Sequence, residues 1–238
     1  MPYAAAGGRP ATRPDEDGQH ARADAGRLCE SASAAPRQAG AVLDLTASSI
    51  DAAGLQALAV DTQGGWREMR LERLPNVRCK DVSHFLRTLT PAATAAVETL
   101  SLQGLAGGGG RLPPHVGLLT NLQALDVSAC GLAGALDRQL LALPQLTDLV
   151  LADNELSDLH TGGVLKALTR LEVLDIRGNA HIFDDDAGAG RFCLPSPGLQ
   201  HPRRVARNAQ AVCNLERGGC VVLVDASQLR SPSCPCCK

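Results

Sequence analysis

Cysteine is the residue in this chain best suited to chemistry, and its spacing can be tested first. Nine are present: Cys29, Cys79, Cys130, Cys193, Cys213, Cys220, Cys234, Cys236 and Cys237. A structural zinc site takes four thiolate or imidazole ligands, most often from Cys-x-x-Cys pairs whose tight turns hold two ligands at tetrahedral spacing. Cys193, His201, Cys213 and Cys220 can be written as one set, and Cys234-x-Cys236-Cys237 as a second. Neither has paired spacing, so no metal and no cofactor is expected. An odd cysteine count without a secretory leader points to reduced thiols buried as small apolar groups.

The other reactive patterns fail on spacing too. Asp184-Asp185-Asp186 lacks the alternation of ligands that a calcium loop needs. Gly107-Gly108-Gly109-Gly110 is not followed by Lys-Ser or Lys-Thr, so its amides do not open a phosphate loop. Arg203-Arg204-x-x-Arg207 has no aromatic residues beside it to stack on bases, so it reads as solvated charge and nucleic acid is not expected as a partner. The chain holds no Gly-x-Ser-x-Gly elbow, no His-Glu-x-x-His zinc helix and no kinase signature. The sequence therefore predicts no catalytic residues and no enzyme.

What remains is a scaffold, and its composition says how it is built. Of 238 residues, 45% are hydrophobic but only 2% are aromatic, so Leu, Val and Ala must fill the interior in many thin layers. The formal net charge of −2 attracts neither nucleic acid nor an anionic membrane. No run reaches the 18 apolar residues of a membrane span. Residues 1–40 show no apolar leader and carry several acids, so an intracellular, cytoplasmic protein without a membrane partner is expected.

Three segments follow from patterning. Residues 1–39, rich in Ala, Gly, Arg, Pro and Ser, show no period and read as a disordered tail. Residues 40–182 repeat the template apolar-x-x-apolar-x-apolar, with a small or amide residue three positions later. The clearest copies are Leu146-x-x-Leu149-x-Leu151-x-x-Asn154, Leu171-x-x-Leu174-x-Ile176-x-x-Asn179 and Leu122-x-x-Leu125-x-Val127-x-x-Cys130. Val97-x-x-Leu100-x-Leu102-x-x-Leu105 precedes them, with weaker copies at Trp66-x-x-Met69-x-Leu71 and Gly40-x-x-Leu43-x-Leu45. The starts lie 26, 31, 25, 24 and 25 residues apart. Leu-x-Leu alternation turns two side chains of a short strand to one face, which should bury Leu149 and Leu174 fully. Residues 183–238 break the repeat and are expected to form a C-terminal cap and tail. Within them Ala211–Leu215 and Cys220–Val224 read as a hairpin around Glu216-Arg217-Gly218-Gly219, and Ser231–Lys238 as a loose tail.

Residues 97–182 resemble leucine-rich repeats of the common short type, and residues 40–96 resemble longer or degenerate copies. Leu43-Asp44-Leu45 through Ala52–Ala59 is similar to the ribonuclease-inhibitor type, in which a helix follows each strand. The resemblance covers about 60% of the chain. It implies an α/β fold: a right-handed solenoid of about six repeats. A short parallel sheet would line its concave side, with strands near 43–45, 69–71, 100–102, 125–127, 149–151 and 174–176. Short helices or turns would cover its convex side.

It also implies a protein-protein interaction module or adaptor that binds a protein partner through the concave face. The residues turned outward there are Asp44, Arg70, Glu72, Ser101, Gln103, Asp126, Ser128, Asp175 and Arg177, with Thr46, Val150 and Ala152 among them. Such a face covers roughly 400–500 Å², against about 800 Å² per partner in a standard interface, so a flank must join in. The alternative is a structural subunit of a larger cytoskeletal or ribonucleoprotein assembly.

Overall fold

The computed structural model describes residues 41–61, 65–105, 109–183 and 202–225. The 1–39 tail, the Asp184–Asp186 run, Cys193, His201 and the Ser231–Lys238 tail lie outside them.

Leu-x-Leu alternation sets the architecture. Seven short strands form one parallel sheet: β1 Ala41–Asp44, β2 Trp66–Arg70, β3 Thr99–Ser101, β4 Ala124–Asp126, β6 Asp148–Val150, β8 Val173–Asp175 and β9 Val221–Leu223. Their order in the sheet is their order in the chain. The register never slips by a whole repeat: Leu43, Met69, Leu100, Leu125, Leu149, Leu174 and Val222 stand in one row. Five of them, from Met69 to Leu174 in that row, are fully buried, and Leu43 is 5% exposed. Two further strands, β5 Ala133–Ala135 and β7 Glu155–Asp158, pair in a small second parallel sheet.

The other wall of the core changes character along the chain. The early connections are true helices: α1 Ala52–Asp61, α2 Cys79–Thr88 and α3 Pro91–Ala96. Asp51 opens α1 by accepting from the Gly54 amide at 2.8 Å, and Asp81 folds back onto the Arg78 amide at 2.9 Å to open α2. Thr90 caps α3, where Pro91 occupies a first-turn position that needs no N–H. The long spacing between the second and third repeats accommodates α2 and α3 together. Later connections shrink to 3₁₀ turns at Pro114–Leu118 and Arg138–Ala142, and to the single-turn α4 Val164–Ala167. One continuous apolar cluster runs from Leu43 to Cys220 between the sheet and these turns.

Two columns hold the bend after each strand. The first is polar. Asn154 accepts from the Cys130 and Leu132 amides and donates to the carbonyls of Val127, Leu151 and Ala152. Asn179 repeats this one layer on, accepting from Leu156 and donating to Leu151 and Ile176. Cys130 reproduces the donor half, its thiol reaching the Leu102 carbonyl at 3.1 Å. The second column is conformational. Ala47, Arg73, Gly104, Ala129, Asp153 and Gly178 all have φ between 51° and 71°. Each of the first five sends its amide to a carbonyl of the next layer. Gly178 donates instead to the carboxylate of Asp225, which takes the place of the missing layer.

The C-terminal segment departs from the expected hairpin. Residues 211–215 belong to helix α5, Pro202–Arg217, and residues 221–223 form β9, a parallel seventh strand. An apolar run of five residues does not distinguish helix from strand, and here tertiary contacts decide. Asn208, fully buried on α5, accepts from the Leu159 amide at 2.9 Å and donates to the Ser157 and Ile182 carbonyls. It does for β7 what Asn154 and Asn179 do within the repeats. Among the described residues, no helix is long and apolar enough to cross a membrane.

Candidate functional site

On every sheet strand the residues between the buried ones turn to the open face. Three rows result. The first contains Val42, Glu68, Thr99, Ala124, Asp148, Val173 and Val221; the second contains Asp44, Arg70, Ser101, Asp126, Val150, Asp175 and Leu223. The third, just past the strands, runs Thr46, Glu72, Gln103, Ser128, Ala152 and Arg177, whose backbone pairing continues the ladder. All the residues expected on this face from the sequence therefore come together on one surface. The first row, with Glu68, Asp148 and Val173, was missed. It is signalled by the same two-residue alternation counted one step back.

The surface is less free than a bare ladder. Arg70 Nε donates to Glu68 at 2.6 Å, and its guanidinium lies 3.5 Å from Asp44. Hydrogen bonding from Thr46 and the nearby Arg70 guanidinium hold Asp44 below the usual carboxylate range. Arg177 grips Asp175 through two nitrogens, the closest contact being 2.5 Å. Burial pushes the Asp175 carboxyl up, but the Arg177 bonds outweigh it and leave the group lowered. Glu68 draws the Arg70 guanidinium further into its charged state. Ser101, Ser128, Ala152 and Asp175 lie low in the face and are buried, while Asp44, Arg70 and Arg177 are exposed.

At the C-terminal end the face turns apolar. Val221 and Leu223 on the last strand are 56% and 37% exposed, with half-buried Val173 beside Val221. On the opposite side of the molecule, Leu118 and Leu141 project from neighbouring 3₁₀ turns.

The thiols divide. Cys79, Cys130 and Cys220 are free and buried, and burial raises the pKa of each. Cys213 is disulfide-bonded, contrary to the expectation of reduced thiols throughout. A disulfide sulfur has no thiolate lone pair for zinc, which removes Cys213 from the four-residue set. Among the described residues, no group of three or more His, Cys, Asp or Glu is placed to hold a metal. Arg203, Arg204 and Arg207 fall in the first turns of α5.

No protein-family model matches this sequence, and a search of curated proteins finds no match. The functional reading therefore rests on the geometry of the face.

Proposed function

We propose that this chain is a leucine-rich-repeat solenoid that binds a protein partner through its concave sheet face, and that it is not an enzyme. One observation carries the reading. Seven parallel strands in a single register present three straight rows of side chains, and among the described residues no three His, Cys, Asp or Glu side chains are grouped to hold a metal. A pre-organised surface of this kind loses little conformational entropy when a partner docks.

Size adds a requirement. Six gaps of about 4.8 Å and five residues of about 3.3 Å give a face of roughly 29 by 17 Å, on the order of 500 Å². A standard interface needs about 800 Å² on each side, so the partner must also touch a flank. Within the face, the edge strand β9, with exposed Val221 and Leu223, is best suited to apolar contact.

The test is capture of a partner with the intact chain, identification by mass spectrometry, and a repeat with variants. Val173→Arg combined with Leu223→Arg adds bulk and charge to the face and should abolish retention. Arg138→Glu, exposed on a convex turn, should retain the partner like the parent. Equal retention by all three would refute the reading. The arginines of the face are unsuitable for this test: Arg177→Glu would set a second acid against buried Asp175 and confound binding with folding.

A further inference from the structure

Charge on the open face is unequally distributed. Six carboxylates stand in the three rows, Asp44, Glu68, Glu72, Asp126, Asp148 and Asp175, against the two guanidiniums of Arg70 and Arg177. Both guanidiniums sit toward the ends and are already held by acids of the face. The centre has no such relief. Asp126 accepts only from the amide and hydroxyl of Ser128, and Asp148 from the hydroxyl of Thr147, so among the described residues no cation pairs with either.

A second observation falls at the same place. Ser101 lies in the middle row between Arg70 and Asp126, and alternation with buried Leu100 and Leu102 aims its side chain into the open face. The residue is only 8% exposed, and its hydroxyl has no hydrogen-bond partner. A buried hydroxyl left unpaired is costly; enclosed by its neighbours, this one reaches a ligand only when its side chain rotates toward the face.

From these observations we infer that the centre of the open face takes an extended, cationic protein segment. This rests on the partner-binding reading above and names the chemistry of the partner. Asp126 and Asp148 stand one strand and two residues apart, roughly 8 Å by strand geometry. Alternate residues of an extended peptide lie roughly 7 Å apart on one side, so Lys or Arg at positions i and i+2 reaches both acids. Val173 lies beside Asp148 in the same row, so an apolar residue following the second cation falls toward it. Ser101 supplies a hydroxyl beside the first cation. An acidic segment is repelled by the same surface, which gives the face a sign preference as well as a shape.

The experiment uses the intact chain and two fluorescein-labelled peptides. One has the order Arg-Ser-Arg-Ser-Val-Ser-Val; in the other both arginines are glutamates. Fluorescence anisotropy should show binding of the arginine peptide, weakened several-fold by raising salt to 0.5 M, about 4 Å of Debye length. No binding of the glutamate peptide is expected. The double variant Asp126→Asn, Asp148→Asn should weaken the arginine peptide about ten-fold, since each exposed or half-buried pair is worth a factor of up to about five. Ser101→Ala should weaken it about two- to five-fold while leaving the melting temperature unchanged or raised. Glu172→Gln, exposed on the rim, should change nothing. Failure of the arginine peptide to bind, equal binding of the two peptides, or unchanged binding by the double variant would overturn the inference. If Val173→Arg with Leu223→Arg still abolishes partner capture in that event, the protein-binding reading stands and only the charge of the partner is wrong.

Discussion

Two asparagines and a cysteine occupy equivalent positions and show what a single side chain does here. Asn154 makes five hydrogen-bond contacts in a buried bend, accepting from two amides and sharing its two N–H groups among three carbonyls. Asn154→Leu keeps the volume roughly but leaves two amides and three carbonyls without that partner. We expect a loss of at least about 3 kcal/mol, read from the midpoint of denaturant unfolding. Cys130 makes only the donor contacts, and burial pushes its thiol up from 9.0 to about 11. Well below pH 9 its proton is bound in folded and unfolded chains alike. As pH rises toward 11 the unfolded chain releases it first, so stability is lost in that window, by about 2–3 kcal/mol. Unfolding at pH 8 and pH 10.5 should show this loss in the parent and a smaller one in Cys130→Asn, where, among the described thiols, Cys79 and Cys220 keep the same sign of effect. An equal loss in both would place the alkaline sensitivity elsewhere. The amides were legible in the sequence because their spacing from Leu-x-Leu is fixed. The engagement of Arg70 and Arg177 was not read, although Glu68 and Asp175 stand two residues before them on the same face; whether a long arginine folds back onto such an acid depends on its rotamer.

Among the elements, the bend after each strand carries the most strain. Ala47 and Ala129 hold φ of 53° and 54°, a region costing an L-residue roughly 1–2 kcal/mol, whereas Gly104 and Gly178 occupy the same column freely. Ala129→Gly removes that cost and adds the larger unfolded-state entropy of glycine, for a net gain of up to about 1 kcal/mol. Gly178→Ala should do the opposite and more strongly, because a Cβ there would meet the Asp153 backbone nitrogen and Cα at 2.9 Å. Thermal melts of the two variants should move in opposite directions; parallel shifts would mean that the column is not strained as described. Strand positions were readable from the repeat, and the first helix from Ala52–Ala59. The C-terminal helix was not, although Pro202 at its start and Asn208, Val212 and Leu215 at helical spacing were present. The short run Ala211–Leu215 fits either period, and the buried contacts of Asn208 come from residues about 26 and 50 positions away. The second sheet, β5 with β7, left no alternation long enough to detect in Ala133-Gly134-Ala135.

At the scale of the whole molecule, each layer touches chiefly its neighbours. The last layer is completed by α5, β9 and the Asp225 carboxylate, so the sheet continues one strand beyond the repeat pattern. That added strand places Val221 and Leu223 on the open face, where apolar area is otherwise limited to valine and alanine. The central claim is that this face, and not the turn side, meets the partner. Hydroxyl-radical footprinting of the intact chain, alone and with its captured partner, measures this directly, because aliphatic side chains report their own exposure. Val221 and Leu223 on the face, and Leu118 and Leu141 on the turns, are all exposed in the chain alone and serve as internal probes of the two sides. The account predicts that the partner protects Val221 and Leu223 and leaves Leu118 and Leu141 as reactive as before. Protection of Leu118 and Leu141 with Val221 and Leu223 still reactive would contradict it.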